Sequence, residues 1–326
     1  MEYKDIIGHD LIIKSLKNAC KNNKISHFYI FEGQEGLGKR SLGGLFAKTL
    51  LCMEKGEEAC NRCNSCHKFN IGSHPDLMEV YPEKDIIKKG QVDEIIQFIN
   101  RSPFESERKL IIIDRADLMN KEAQNALLKS LEEPPSYIHI ILVSSDSKNL
   151  LPTIRSRGQT IKFYPIETPK VEDYLHNKLN IDKDRARFLA KLSNGSLGNA
   201  ILVSKSQDFF EMREWALDLI DGLIKKEGYR IFSASEYFYL HKDQIQELLQ
   251  VFILWFRDLG VYKASKNTNF IINKDKEEYL IGQSFMDFDR INDIIEKIED
   301  TSLNIQMNVN FQLSIETMLL KIQGEV

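Results

Sequence analysis

The stretch "FYIFEGQEGLGKRS" (28–41) sets an apolar run against a glycine-rich turn and then the start of a helix. Its core follows G-x-x-x-x-G-K, the strand–loop–helix pattern of a phosphate loop. Gly33, Gly36 and Gly38 let the backbone curl so that its N–H groups face phosphate oxygens. The helix opening at Lys39 adds its positive end, and Lys39 reaches the outer phosphates. The next position breaks the pattern. A hydroxyl is needed there to hold magnesium, and the chain has Arg40, a permanent cation with no acceptor. Ser41 carries a hydroxyl, but one residue later, about 100° further round the helix.

Working outward, "HFYIF" (27–31), "DLMEVYP" (76–82), "KLIIIDR" (109–115) and "IHIILVSS" (138–145) are short apolar runs suited to buried parallel strands. Helical patterns lie between them, notably "RSLGGLFAKTLLC" (40–52) and "NKEAQNALLKSLEE" (120–133), the second stopped by Pro134 and Pro135. Such alternation predicts an α/β domain with a parallel sheet flanked by helices. The third run ends in Asp114, the place for a magnesium-associated acid. A hydrolysing site has a glutamate next, to polarise water, and here Arg115 follows. Asp117 reads as an acid at a helix start. Arg40 and Arg115 together predict a site that hydrolyses nucleotide poorly, with binding of ATP left open.

With 326 residues, 42% hydrophobic and 28% charged, the chain has room for two or three globular domains. We expect 1–165 to form the α/β domain, 166–207 a small helical lid, and 208–326 an all-α domain. A net charge of −4 argues against a protein that coats nucleic acid or anionic membrane. The N-terminus lacks the pattern of a signal peptide, and "LLQVFILWF" (248–256) is too short to span a bilayer. The expected location is the cytoplasm, where thiols stay reduced.

Four of the five cysteines crowd into 52–66 as C-x7-C-x2-C-x2-C. Cys52, Cys60, Cys63 and Cys66 at this spacing predict a closed four-thiolate zinc site, structural because no position is left for water. Zinc would pin a loop with little core of its own, by roughly 10–16 kcal/mol. His67 is an adjacent substitute ligand, and Cys20 reads as a small buried hydrophobe. The flanks of the cluster are not basic enough to favour a nucleic-acid contact.

A zinc module just after a phosphate-loop helix, with "AQNALLKSLEEPP" (123–135) and "LLPTIRSRGQ" (150–159), resembles the bacterial clamp-loader family of AAA+ proteins. The resemblance covers residues 5–205 well. It is weaker in the last domain, where "WFRDL" (255–259) and "NVNFQLSIETMLL" (308–320) look like the family's helical collar. It implies an AAA+ module, a lid and a collar. It also implies a hetero-pentamer with tau/gamma and delta subunits, acting on a sliding clamp and primer-template DNA. In the family's Ser-Arg-Cys motif the arginine enters a neighbour's nucleotide site. Here that motif is Ser156, Arg157 and Gly158, with Arg155 as a rival. The glycine in place of cysteine bears on the turn that aims Arg157.

Family ATPases also carry a lid arginine that senses the γ-phosphate. In "LSNGSLGNA" (192–200) its equivalent is Gly198. The resemblance thus implies a static subunit that supplies Arg157 as an arginine finger to a neighbouring ATPase. Two other readings stay open. One is an ATP-hydrolysing tau/gamma-type motor with Ser41 as the magnesium ligand, and the other a zinc-dependent DNA-binding protein. "QELLQVFILWFRDL" (246–259), apolar nearly all round, fits either a subunit interface or a helix buried in its own domain.

Overall fold

The computed structural model describes residues 1–307 and 309–324. Asn308, the first residue of the collar-like stretch quoted above, lies outside them. The chain divides into two units, one comprising Met1–Val171 with Gly195–Asn199, the other Glu172–Asn194 and the chain from Ala200 onward.

The first unit is built on a five-stranded parallel sheet. Its strands are β1 (Phe28–Glu32), β2 (Leu77–Val80), β3 (Lys109–Ile113), β4 (Ile138–Ser144) and β5 (Gln159–Lys162), in the order β2-β3-β4-β1-β5. Its helices are α1 (Asp10–Lys21), α2 (Lys39–Leu51), α3 (Asn64–Asn70), α4 (Lys89–Ile99), α5 (Lys121–Glu132) and α6 (Pro152–Arg155). The two-residue period of a strand sorts the apolar residues between two cores. Ile111 and Ile113 of β3 join Phe28, Ile30, Ile140 and Leu142 on the side of α4 and α5. Leu110 and Ile112 join Tyr29, Phe31, Ile141 and Val143 on the side of α1 and α2. Both faces are covered, which is why these strands read as continuous apolar runs. This is the α/β class expected from the sequence, a parallel sheet flanked by helices.

Polar residues fix the edges of this unit. Lys109, 3% exposed, donates its ammonium to Phe98 O and Arg101 O (2.7 and 2.9 Å) at the C-terminal end of α4, where a cation meets free carbonyls and the negative end of the helix. His27 and His139 stack with their ring centroids 5.3 Å apart. Each donates its Nδ1–H across the β1–β4 junction, His27 to Ile138 O and His139 to Ser26 O (3.0 and 2.9 Å). His27 is a packed, bonded histidine, in keeping with its position before the first strand.

In the remaining chain come α7 (Thr168–Leu179), α8 (Lys183–Leu192), α9 (Leu197–Ser204), α10 (Gln207–Ile224), α11 (Arg230–Leu240), α12 (Ile245–Ser265), α13 (Glu277–Gly282), α14 (Phe288–Gln306) and α15 (Phe311–Gln323). Within the second unit α12 packs against α8, α10, α13 and α14, so its apolar circumference is used inside its own unit. Trp255 is fully buried there and donates Nε1–H to Gln283 Oε1 at 2.8 Å. Trp215 stacks on Tyr237 with centroids 3.6 Å apart. No helix among the described residues is long and apolar enough to cross a membrane.

Candidate functional site

The phosphate loop joins β1 to α2, with Gly33, Gly36 and Gly38 all at positive φ. Its polar groups are spent on one another. Lys39, 5% exposed, donates its ammonium to Gly33 O and, at 2.6 Å, to Gln34 O. Burial lowers the proton affinity of this amine, while Glu35, Asp117 and Asp114 act in the opposite direction. A second layer of backbone lies on the loop. Gly198 N–H donates to Gly36 O at 2.8 Å, and Ser196 Oγ donates to Glu35 O at 2.9 Å. The approach is too close for side chains. A Cβ on Gly198 would lie 2.7 Å from Gly36 Cα, and one on Gly36 would strike Ser196 Oγ.

The cationic residues that interrupt the motif have partners of their own. Arg40 reaches across to β2, donates to Tyr81 Oη, lies over the Tyr81 ring (4.6 Å to the centroid) and pairs with Glu79 at 3.4 Å. Arg115, itself in the left-handed region at φ 48°, pairs with Glu35 of the loop at 3.3 Å and with Asp85 at 3.5 Å. Asp114 lies among these cations. Burial raises its pKa, opposed first by the Arg40 guanidinium and then by the Arg115 N–H and guanidinium. Asp117 is engaged elsewhere, accepting from Ser145 N–H and Oγ (3.0 and 2.7 Å), and so ties the turn after β3 to the end of β4. Ser41 is exposed and opens, with Arg40, Lys48, Glu79 and Tyr81, onto a cleft of about 570 Å³ whose lining contains neither a loop glycine nor Asp114.

Arg157 belongs to a different grouping. It follows α6, and its Nη1 donates to Thr153 O (2.7 Å) and its Nη2 to Glu132 Oε1 (2.8 Å). The sequence gives Glu132 a place on a solvated or interface face, and only the fold brings it to Arg157. The rival Arg155 ends α6 and makes no side-chain bond with the described residues. Gly158 lies against β1. A Cβ there would lie 2.8 Å from Ile30 Cγ1 and Cδ1 and 2.9 Å from Phe28 Cε1, so β1 fills the space a side chain would need.

The four clustered cysteines converge. Cys52 caps α2 and Cys63 opens α3, and all four sulfurs lie within 4.8 Å of one another. Tetrahedral zinc–thiolate geometry needs sulfurs about 3.8 Å apart, and Cys52 Sγ and Cys63 Sγ are 4.0 Å apart. Backbone N–H groups of Cys60 and Cys66 point at Cys52 Sγ and Cys63 Sγ (3.3 and 3.4 Å), as donors to metal-bound thiolates do. The donor set fits a divalent cation that prefers sulfur. His67 is exposed and stands apart from the cluster.

The module is tied to the sheet through a buried histidine. Ser65 donates to Leu51 O (2.6 Å) and lies 3.0 Å from His74 Nε2, while His74 Nδ1 accepts from Asp76 N–H. The acidic flank pairs with α1, Glu58 with Lys17 and Glu57 with Lys21 (2.5 and 2.8 Å). These pairings account for a flank that is acidic where a nucleic-acid contact would be basic.

Models of the family "DNA polymerase III, delta subunit" match residues 8–167 and, for its C-terminal part, residues 217–324. DNA polymerase III subunit delta' of Bacillus subtilis is 30% identical over 96% of this chain and 95% of its own length. DNA polymerase III subunit tau of the same organism is 28% identical over 84% of this chain, which spans about half (52%) of that protein. Among solved structures, a gamma subunit-related protein of Thermotoga maritima aligns over 95% of this chain and 98% of its own with 21% identity and a TM-score of 0.38.

Proposed function

The chain belongs to the bacterial DNA polymerase III clamp-loader family, and we propose that its place there is that of a delta-prime-type subunit. On this reading it is a largely non-hydrolysing AAA+ stator. It supplies Arg157 in trans to a neighbouring ATPase while the sliding clamp is loaded on primed DNA. Its partners are tau/gamma and delta subunits in a hetero-pentamer, joined through a collar at 208–326 beyond a lid at 166–207. Zinc on Cys52, Cys60, Cys63 and Cys66 holds the inserted module and takes no part in chemistry.

One observation carries the non-hydrolysing part of this reading. The position that should present a hydroxyl to magnesium carries Arg40, whose guanidinium is engaged by Tyr81 and Glu79. An arginine in place of the hydroxyl ligand adds a charge that repels the metal. For the neighbour, a planar permanent cation on Arg157 would stabilise charge spreading over the transferring phosphoryl oxygens.

The similarity to tau keeps a second reading in view, a motor that uses Ser41 for magnesium. ATP hydrolysis by the purified chain separates the two, measured alone and then with tau/gamma, delta, clamp and primed DNA, each with and without Arg157→Ala. The stator gives no magnesium-dependent turnover alone and an Arg157-dependent gain in the mixture. Robust turnover by the isolated chain would establish the motor.

A further inference from the structure

We propose that Glu132 is a positioning residue for Arg157, holding one edge of its guanidinium so that the rest of the group faces outward in a fixed orientation. The inference rests on the arginine-finger reading of Arg157. A guanidinium has five N–H donors in a rigid planar fork. Here one on Nη1 goes to Thr153 O at 2.7 Å and one on Nη2 to Glu132 Oε1 at 2.8 Å, leaving three for an incoming phosphate. The side chain remains 34% exposed, so it is restrained without being covered.

The two acceptors sit on rigid supports. Glu132 is the last residue of α5, whose further course Pro134 forbids, and whose final turns are anchored by Leu127 and Leu131, 0% and 7% exposed. Thr153 lies in α6, anchored by the fully buried Ile154. Gln124, 3% exposed, fastens the two helices to each other. Its amide donates to Asn149 O (3.1 Å) and its carbonyl accepts from Leu151 N–H (2.7 Å), just before α6 begins. The two supports of Arg157 are thus held to each other as well as to the core, as a preorganised group requires. Stability does not explain the pair, because partly exposed ion pairs contribute little to it. The contrast with Arg155, two residues earlier and unpaired among the described residues, points to orientation as its purpose.

The test uses the full chain assembled with its tau/gamma and delta partners, clamp and primed DNA. It compares ATP turnover for wild type, Arg157→Ala, Glu132→Ala, Glu132→Gln and the Glu132→Ala/Arg157→Ala double variant, with assembly checked by gel filtration. Arg157→Ala is expected to lower kcat by tenfold or more. Glu132→Ala should lower it by about three- to tenfold with KM for ATP unchanged, the signature of a misaimed group. Glu132→Gln keeps an oxygen acceptor and should retain most of the rate, and the double variant should be no slower than Arg157→Ala alone. Wild-type turnover in Glu132→Ala beside a slow Arg157→Ala overturns the proposal and leaves the finger reading intact. Faster turnover in Glu132→Ala would also overturn it, by showing that the pair sequesters Arg157. A double variant slower than Arg157→Ala would give Glu132 an independent role and overturn it too. If Arg157→Ala itself runs at the wild-type rate, the finger reading fails and the proposal falls with it.

Discussion

Placing a side chain at Gly158 tests directly how the turn carrying Arg157 is built. Gly158→Ala adds a single Cβ, which at the present backbone would sit 2.8 Å from Ile30 Cγ1 and Cδ1 and 2.9 Å from Phe28 Cε1. Carbon atoms in contact prefer about 3.5–4.0 Å. Phe28 and Ile30 are 4% and 0% exposed and belong to the core beneath α4 and α5, so neither can retreat into solvent. The addition is therefore overpacking, for which a cost of roughly 1–3 kcal/mol is expected. In a unit of this size about 2 kcal/mol lowers Tm by about 4–8 °C. Gly158→Cys, which restores the family's residue, should cost at least as much. Ile30→Val removes Cδ1 and should recover part of the loss, so the pair of substitutions is less than additive by at least about 0.5 kcal/mol. Thermal and urea denaturation of the single and double variants measure this. If Gly158→Ala matches wild type, or if Ile30→Val adds its full cost on top, β1 does not fill the space and the account of this turn is wrong.

Other outcomes follow from the same geometry. The purified chain should carry one zinc, and Cys66→Ser or a strong chelator should release it, with hydrogen exchange rising across 52–70 and little changed in β1, β3 and β4. Uniform unfolding instead would mean that the module supports the sheet. Burial holds His139 neutral, with its pKa lowered to about 4 from 6.5. The unfolded chain then takes up its proton first, so this contribution is complete above pH 6.5 and is lost as pH falls toward 4, by roughly 3 kcal/mol. His139→Asn, which keeps an N–H for Ser26 O, should flatten the urea-derived stability profile between pH 6.5 and 4, and an unchanged slope would contradict this. Arg40→Ser alone should not confer ATP turnover, because Arg115 still follows Asp114 and pairs with Glu35, and Gly198 still closes on the loop. Turnover after that one change would show that Arg40 is the sole obstacle.

β1, β3 and β4 were legible because both faces of the sheet are covered there, making each an apolar run. β2 was legible from its apolar residues but is not the buried strand expected, because it lies at one edge of the sheet with Glu79 exposed and only Val80 buried. The fifth was not legible. Gln159–Lys162 lies at the sheet edge, pairs only with β1 and is largely exposed, so nothing in its composition marks it as a strand. The cysteine module was legible from spacing alone, since four thiols so close in sequence have few other uses. The interior of the phosphate loop was not. Which residues interrupt the motif can be read from the sequence, but the return of Lys39 to Gly33 and Gln34 and the pairing of Arg115 with Glu35 depend on backbone curvature. The link from Arg157 to Glu132 spans 25 residues and two helices, and the side-chain pattern of either helix alone gives no sign of it.

The close approach of Gly198 to Gly36 also fixes what position 198 can accept. The two backbones meet there at 2.8 Å, donor to acceptor, and any residue with a Cβ at 198 must displace the loop before its side chain can reach across it. The glycine pair therefore works as a latch. A side chain introduced at 198 is accommodated only if residues 33–38 move with it, so the two segments are constrained to change together.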